Sequence, residues 1–339
     1  MNSKSAYAQA GVDIDKGNLA ASLIKASVQS TYNASVLSDV GAFGGLYSLD
    51  ALAEFNRPVL VASTDGVGTK TSVAAQLGRW DTIGSDIVHH CLNDILVQGA
   101  KPLFFLDYVA SASLDPKQIA AVVAGIAAAC REANCALLGG ETAEMPGVYH
   151  HGAIDLVGTI VGVVDREKII DGSQIQEGDV ILALPSSGLH TNGYTLARQV
   201  LDNLDWKAVH PYLQEPVGEQ LLRPHHSYLD PISKWRDAGL NIHGLAHITG
   251  GGLIDNPPRI FPAGLSAVLH TSCWEPPAIF QLIQRLGNIT TPEMFRVFNM
   301  GLGMLALLPL KAVDEAINLV PEAIRVGEMV AGEGKVLLS

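Results

Sequence analysis

Two kinds of segment alternate along residues 59–164 of the chain. Short apolar runs rich in β-branched and aromatic residues predict strands, and longer stretches with apolar residues three or four positions apart predict helices. The predicted strands are residues 59–63, 103–108, 136–138 and 154–164. Because these strands repeatedly end in polar loops that contain glycine, we expect a scaffold that presents loops to a ligand.

The clearest helical pattern covers residues 82–98. Its apolar members recur every four residues, at Ile83, Ile87, Cys91 and Ile95. Asp86, His90 and Asp94 share another face of the same helix. One face is therefore expected to pack, while the other offers side chains for chemistry. Further helices are predicted at residues 19–28 and 115–133, the second with Asp115 as N-cap and Pro116 in its first turn.

A charged, turn-rich stretch at residues 165–179 follows the last of these strands and predicts a domain boundary. The chain has 339 residues, enough for two domains at roughly 150 residues each. We place the first domain at residues 1–168 and the second at 169–339. The second domain is predicted to have strands at 180–184 and 301–308, a helix from Tyr194 onward and a terminal pair of strands.

Composition identifies a globular protein, with 48% hydrophobic and 17% charged residues. The formal net charge of −12 opposes binding to a nucleic-acid backbone. No apolar run is long enough for a membrane span, and the N-terminal stretch lacks a signal-peptide core. The four cysteines include no C-x-x-C pair, so we expect reduced thiols in a cytoplasmic protein that binds neither nucleic acid nor membrane.

Two carboxylates suggest a magnesium site. Asp65 lies in a predicted glycine loop directly after a strand, and Asp94 lies on a helix face. Glu141, in a second glycine-bearing loop, is a candidate third acid. Mg²⁺ takes few carboxylates and completes its shell with water and phosphate oxygens. The alternative is that each acid caps a turn or is solvated, which is the commoner role of a single Asp.

The loop after Asp65 also carries groups that bind phosphate. Gly66, Gly68, Thr69 and Lys70 supply exposed amides, a hydroxyl and an ammonium. The spacing is not that of a Walker loop, so an ordinary tight turn remains an equal alternative. The string at residues 301–306 matches a relaxed dinucleotide fingerprint, but the apolar run after it predicts a core strand instead.

The second half of the chain has two loops suited to an anionic substrate. His190 and Asn192 lie in a Ser-, Gly- and Asn-rich loop before a helix, and His247 precedes a glycine-rich stretch. That stretch consists of Thr249, Gly250, Gly251 and Gly252. Histidine moves protons near neutral pH, although a lone histidine is more often structural. The histidine pairs at 89–90, 150–151 and 225–226 have no matching set of ligands in the sequence, so zinc is not favoured.

Six strings taken together are more specific than any one of them. They occur in one order at residues 63–70, 93–108, 139–147, 188–194, 247–252 and 298–304. In this combination the chain resembles the phosphoribosylformylglycinamidine cyclo-ligase family, also called aminoimidazole ribonucleotide synthetases. The resemblance covers nearly the whole chain, beginning with Tyr7.

The resemblance implies an α/β fold of the α+β type in two α/β domains. It also implies a homodimer in which N-terminal strands of both subunits form a shared β-barrel, with ATP bound nearby. The C-terminal domain completes the substrate site. The family's reaction uses ATP to close the imidazole ring of formylglycinamidine ribonucleotide, giving aminoimidazole ribonucleotide, ADP and phosphate. Phosphorylation turns the formyl oxygen into a leaving group that the amidine nitrogen displaces.

The resemblance also assigns roles to individual residues. It implies that Asp65 and Asp94 bind Mg²⁺, with Glu141 as a helper. It implies that the phosphates of ATP are bound by Gly66, Gly68, Thr69 and Lys70. Lys70 and Asp94 would also support catalysis. Lys25 would reach ATP. His190 and Asn192 would face the substrate, with His190 polarising the formyl oxygen or moving a proton. His247 is a second candidate for that proton, and Thr249, Gly250, Gly251 and Gly252 would hold the ribose phosphate.

The chain departs from the family pattern at Ala42 and at His89-His90, and we expect neither departure to touch the acids. A requirement for potassium, the identity of the proton-handling histidine and closure of the N-terminal segment over the ligand stay open. Selenophosphate synthetase is a rival within the same superfamily, but it needs a reactive cysteine near the N-terminus, whereas the first cysteine is Cys91. A noncatalytic nucleotide-binding regulator is the second alternative.

Overall fold

The computed structural model describes residues 6–339, so the first five residues of the predicted first domain lie outside it. Contacts divide the chain into two compact units. Unit 1 comprises the chain up to Ile95 together with Lys101–Arg166, and unit 2 comprises Leu96–Ala100 together with Glu167–Ser339. Among the described residues, no helix has the length and apolar character needed to cross a membrane.

Unit 1 is built on a mixed four-stranded sheet with strand order β1-β4-β2-β3, in which only β2 and β3 are parallel. The strands are β1 (Pro58–Gly66), β2 (Lys101–Ser111), β3 (Ala136–Glu144) and β4 (Ile154–Asp165). The helices are α1 (Ala6–Gln9), α2 (Ile14–Gln29), α3 (Lys70–Leu77), α4 (Ile83–Leu96) and α5 (Pro116–Glu132).

The two faces of this sheet differ. Glycines in β4 let α4 pack closely on one face, where a Cβ added at Gly162 would lie 2.7 Å from Cδ1 of Ile95. The opposite face carries apolar side chains that stay partly exposed, including Leu60 at 60% and Leu106 at 37%. Unit 1 therefore has one well-covered sheet face and one open apolar face.

Unit 2 contains a six-stranded mixed sheet with order β12-β9-β11-β5-β10-β8. Its strands are β5 (Val180–Pro185), β8 (Gly244–His247), β9 (Leu265–Leu269), β10 (Leu302–Leu308), β11 (Ile324–Ala331) and β12 (Val336–Leu338), and β6 (Val209–His210) pairs separately with β7 (Glu215–Pro216). Its helices are α6 (Tyr194–Leu201), α7 (Val217–Leu222), α8 (Leu229–Asp237), α9 (Gly252–Asp255), α10 (Ala278–Gly287), α11 (Thr291–Val297) and α12 (Val313–Leu319). Trp235, Tyr228 and Met304 are among the buried side chains of its core.

The structure confirms the two α/β domains and the main helices. All four predicted apolar positions of α4 are fully buried, and Asp115 caps α5 by accepting from the amides of Lys117 and Gln118. Of residues 301–306, all but Gly301 lie in the buried strand β10, as expected. The strand continues to Leu308, so no helix follows these residues directly.

Several boundaries were predicted wrongly, three of them next to candidate site residues. β1 continues through Asp65 to Gly66, and β3 continues through Glu141 to Glu144, because both strands keep pairing with a neighbour beyond their apolar residues. Lys70 begins α3 instead of ending a loop. The terminal strands do not pair with each other, since β9 lies between them and pairs with both.

We predict that Gly158→Ala destabilises the protein. A Cβ at this position of β4 would collide with the Phe105 ring and lie 2.8 Å from Cγ1 of Ile87, both in the packed core. Such overpacking should lower the free energy of unfolding by about 1–3 kcal/mol, measured by urea denaturation. Gly139→Ala in β3 is the control, because its Cβ would meet only Cδ2 of Leu106, at 3.7 Å. Equal losses in both variants would contradict the packing argument.

Candidate active site

Two carboxylates of unit 1 lie close to each other at the end of β1 and in the last turn of α4. Asp65 accepts a hydrogen bond from the Gly66 amide at 2.7 Å, and Asp94 accepts one from Oγ of Ser63 at 3.0 Å. The negative charge of Asp94 tends to raise the pKa of Asp65. The structure therefore brings together the two acids that the sequence singled out.

His90 contacts this pair directly. Its Nε2 lies 3.0 Å from Oδ2 of Asp65, and its side chain is buried. We expected that His89 and His90, which depart from the family pattern, would not contact the two acids. This expectation was wrong for His90, because it precedes Asp94 by one helical turn and therefore faces the same end of β1. Burial raises the pKa of Asp65, but the hydrogen bond and charge of His90 and the hydrogen bond from the Gly66 amide together outweigh it, so the pKa lies below its ordinary value.

The donor set of this pair fits a hard divalent cation. Asp65 is partly exposed, with 42% of its side chain accessible, and both groups offer carboxylate oxygens. Mg²⁺ prefers oxygen ligands and accepts one or two carboxylates together with phosphate. A cation would also offset the repulsion between the two carboxylates. Asp65 and Asp94 are the residues that would hold it.

Lys70 has a different partner from the one expected. Its ammonium lies 2.8 Å from Oδ2 and 2.9 Å from Oδ1 of Asp86, and both side chains are fully buried. Burial lowers the pKa of Lys70, while the Asp86 charge opposes that shift. This geometry does not support the predicted contact between Lys70 and phosphate, because the ammonium is inaccessible. We leave Lys70 out of the phosphate-binding set.

The segment from Gly66 to Thr69 remains suited to an anion. It leads into the first turn of α3, where backbone amides point along the helix axis. Gly68 has a φ of +65°, a conformation that glycine adopts without strain, and both Gly68 and Thr69 are exposed. The Val67 amide is not available, since it donates to the carbonyl of Leu156 at 2.9 Å.

A cavity of about 550 Å³ opens between α2, the glycine-rich segment at residues 39–45, and the strands β2 and β3. Glu141, the predicted third acid, lies in its wall together with Asp107 and Asp39. Lys25 lies beside this cavity, with Nζ 3.4 Å from Oδ2 of Asp39. Burial raises the pKa of Asp107 to about 7.

Unit 2 brings its candidate residues together around three buried histidines. His190 and His225 stack with ring centroids 4.0 Å apart, and Nε2 of His225 lies 3.1 Å from Nε2 of His247. His190 has a φ of +62°, a strained conformation for a residue other than glycine. The expectation that His225 lacks a matching cluster was wrong, since the fold places it between the two histidines that the sequence singled out.

Asn192 lies beside the glycine-rich loop. Its Oδ1 would lie 3.4 Å from a Cβ at Gly250. Its Nδ2 is buried and has no hydrogen-bond partner in the part of the chain that the structure describes, which is costly unless a ligand accepts from it.

The glycine-rich loop is held by Asn256, which accepts from the Thr249 amide at 2.8 Å and donates to the Gly250 carbonyl at 3.0 Å. The Gly252 amide is also used, because it donates to the Thr249 carbonyl at 3.0 Å. The helix that follows, α9, has only four residues. The helix-start argument for a ribose phosphate at this loop is therefore weaker than the sequence indicated.

Comparison with known proteins decides the family. Residues 50–164 match the family model described as AIR synthase related protein, N-terminal domain, and residues 176–338 match that of the C-terminal domain. The phosphoribosylformylglycinamidine cyclo-ligase of Desulfitobacterium hafniense is 51% identical over 91% of this chain and 90% of the relative. That of Carboxydothermus hydrogenoformans is 48% identical over 98% of both chains. The chain belongs to the phosphoribosylformylglycinamidine cyclo-ligase family.

Solved structures of more distant proteins share the fold of the cyclo-ligase family. HypE of E. coli, a hydrogenase maturation protein, superimposes with a TM-score of 0.67 at 17% identity, over 95% of this chain and 93% of that chain. Thiamine-monophosphate kinase of Stenotrophomonas maltophilia gives a TM-score of 0.65 at 17% identity, over 93% of this chain and 94% of that chain.

Three residues of the candidate site were not assigned to it from the sequence. His90 was placed on the helix face that it shares with Asp94 but was given no role, His225 was noticed only as part of a histidine pair, and Asp107 lies within an apolar run that predicts a strand. The useful signal for His90 was its spacing of four residues from Asp94 on one helix face. No local signal identifies His225, whose neighbours are distant in sequence.

The raised pKa of Asp107 predicts a pH-dependent stability difference from Asp107→Asn. Below about pH 3 the carboxyl is mostly protonated in both states, since its ordinary pKa is 3.8. Between that pH and the folded-state pKa of about 7, only the unfolded state ionises, so the wild type loses stability as pH rises. The variant should therefore gain stability relative to wild type across this range, measured by urea denaturation. A difference that stays constant with pH would contradict the assignment.

Proposed function

We propose that this chain closes the imidazole ring of formylglycinamidine ribonucleotide, with ATP and Mg²⁺ bound by unit 1 and the ribonucleotide bound by residues of unit 2. Members of its family consume ATP in this reaction and release ADP and phosphate. The observation that carries the proposal is the Asp65–Asp94 pair: Asp65 directly precedes the glycine segment that leads into α3, and Asp94 lies close to Asp65 in the last turn of α4.

Asp65 and Asp94 would hold Mg²⁺ on the phosphates of ATP. Bound there, the cation would neutralise the negative charge that develops on ADP as the γ-phosphate is transferred. Gly68 and Thr69 would line the phosphates through backbone amides and the Thr69 hydroxyl, whereas the Gly66 amide already donates to Asp65. Lys25 and Glu141 lie beside and in the cavity of unit 1, and we assign that cavity to the nucleoside portion of ATP because its volume of about 550 Å³ suits a ligand of that size.

Asn192 and the histidines of unit 2 would bind the ribonucleotide. The buried Nδ2 of Asn192 requires an acceptor, which a substrate carbonyl, hydroxyl or phosphate oxygen supplies. His190 would polarise the formyl oxygen. Thr249, Gly250 and Gly251 are the part of the glycine-rich loop that would contact the ribose phosphate, whereas the Gly252 amide is already used within the loop.

Cys91 argues against the selenophosphate synthetase alternative. It is fully buried on α4, and burial raises the pKa of its thiol far above the ordinary value. A reactive cysteine needs a lowered pKa and access to its substrate. Cys91 therefore acts as a core residue.

The decisive measurement is ADP release by the purified protein with Mg²⁺ and ATP, with and without formylglycinamidine ribonucleotide, together with detection of the aminoimidazole product. We expect ADP to depend on the ribonucleotide and to match the product. Asp94→Asn should lower kcat by at least about 10²-fold while leaving the urea unfolding midpoint near that of wild type.

Asp81→Asn is the matched control, because Asp81 is an exposed acid whose side chain lies 3.4 Å from Arg79. This control should keep full activity. Full activity of Asp94→Asn would remove Asp94 from the site, and ATP binding without ribonucleotide-dependent ADP release would favour the noncatalytic regulator.

We also propose that two copies of the chain associate through the open apolar face of the unit 1 sheet, with their strands forming a shared barrel. Leu60, Leu103, Phe104, Leu106 and Leu138 line a depression of about 370 Å³ on this face, together with Leu49 and Leu52. An apolar surface of this kind is costly in water and is typical of an interface between subunits. β1 also lies at the edge of its sheet, with hydrogen-bonding groups available to another strand.

Leu60→Asp should convert a dimer to a monomer, because the carboxylate would be buried in the proposed interface without a partner. Sedimentation velocity at several protein concentrations measures the change. Leu310→Asp is the control, since Leu310 is equally exposed, at 62%, but belongs to unit 2. A monomeric wild type, or a dimer that persists in Leu60→Asp, would overturn this interface.

A further inference from the structure

The three histidines of unit 2 do not have equivalent hydrogen bonds. His190, His225 and His247 are 1%, 1% and 7% exposed. Their ring nitrogens lie close together, so the partners of each nitrogen decide where its proton resides. A neutral imidazole has one nitrogen that donates and one that accepts. The hydrogen bonds in the structure therefore distinguish fixed protons from movable ones.

His190 has a fixed tautomer. The backbone amide of Ser187 donates to Nε2 of His190 at 3.2 Å, and the amide of His226 approaches the same atom at 3.5 Å. A backbone N–H can only donate, so Nε2 must be unprotonated. The proton of His190 consequently resides on Nδ1. Gaining a second proton at Nε2 would place two N–H groups against each other, which disfavours the imidazolium form.

The pair formed by His225 and His247 is different. Its two Nε2 atoms lie 3.1 Å apart, and a hydrogen bond between two ring nitrogens contains one hydrogen that either ring can carry. Nδ1 of His225 lies 3.3 Å from Oγ1 of Thr191, a hydroxyl that can donate or accept. Thr191 therefore accommodates either position of the shared proton. Once the pair has taken up an additional proton, the shared hydrogen can pass from one ring to the other without any change in the position of the rings.

The same geometry does not favour a metal site formed by the three rings. Imidazole lone pairs lie in the ring plane, and His190 and His225 are stacked with an interplanar angle of 22°. Their lone pairs therefore do not converge on one point. The only nitrogen of His190 that has a lone pair in its neutral form already accepts from the Ser187 amide.

We propose that the His225–His247 pair, and not His190, handles the proton of ring closure, and that His225 is a positioning residue that holds and shares the proton of His247. This inference rests on the proposed function. During ring closure a bond forms between the amidine nitrogen and the formyl carbon. The bond from that carbon to the phosphorylated oxygen breaks, phosphate leaves with the electron pair, and the proton of the nitrogen passes to the imidazole pair. His190 contributes a fixed N–H donor from Nδ1.

Substitutions that keep or remove hydrogen bonding separate these roles. Because a positioned proton transfer contributes about 10²–10⁴-fold, His247→Gln should lower kcat by about 10²-fold or more. Glutamine supplies a donor and an acceptor but does not titrate, so it can replace a fixed N–H donor. His190→Gln should therefore lower kcat by no more than about tenfold. His225→Leu should lower kcat by about 10²-fold with KM for ATP within about twofold of wild type. His225→Gln should recover part of that loss.

The ratio of ADP to aminoimidazole product is the readout that a structural defect would not move. If the proton is not removed, the phosphorylated substrate persists and is lost to water, so His225→Leu should release more ADP than product. His226→Leu is the matched control, because His226 is the exposed neighbour of His225. It should keep a ratio of one. A larger kcat loss in His190→Gln than in His247→Gln, or equal behaviour of His225→Leu and His226→Leu, would overturn the proposal.

A measurement on the unmodified protein avoids dependence on folding of the variants. Nitrogen-15 NMR of the histidine rings should show Nε2 of His190 unprotonated and one hydrogen shared between His225 and His247. A protonated Nε2 on His190 would overturn the assignment, as would stoichiometric transition metal in the purified protein that a chelator removes with a change in these signals. If the wild type makes no aminoimidazole product, the proposed function fails, and the NMR result still decides the proton assignment.

Discussion

The buried ion pair between Lys70 and Asp86 is the interaction on which the proposed metal site depends. Lys70 is the first residue of α3, and Asp86 lies in the first turn of α4, so the pair fixes the start of one helix against the other. Asp65 lies five residues before Lys70, and Asp94 lies about two turns after Asp86. Burying two charges gains little net stability over apolar residues. The effect of this ion pair is to determine the positions that the carboxylates of Asp65 and Asp94 can occupy.

A comparable constraint operates in unit 2. His190 adopts a left-handed backbone conformation that costs about 1–3 kcal/mol and is held there by the Ser187 amide. Gly303 lies under its ring, where a Cβ would meet Cε1 of His190 at 2.6 Å and also collide with Tyr228. The ring is thus fixed by the backbone at several points. A side chain positioned in this way suits a donor whose direction must not change.

The sequence predicted those features that repeat along the chain, and it failed where distant contacts decide the outcome. The four-residue spacing in α4 was sufficient because a helix that packs on a sheet buries one face. The ends of β1 and β3 were misjudged because hydropathy falls after Ser63 and Leu138, whereas backbone pairing continues. The partner of Lys70 and the place of His225 depend on how separate elements pack, which no local pattern contains. Asp65 and Asp94 were recognised because each lies at a position typical of ligand-binding residues.

Charge links these observations. The chain carries a net charge of −12, yet its proposed ligands are a nucleoside triphosphate and a ribonucleotide, both anionic. Lys70, the cation nearest the glycine segment in sequence, is neutralised by Asp86 and cannot offset the phosphates. In the proposed site, a divalent cation on Asp65 and Asp94 and oriented backbone amides at the start of α3 would supply the attraction. Because a cation that arrives with the nucleotide would bring the positive charge, such a site would need no exposed lysine at the phosphates.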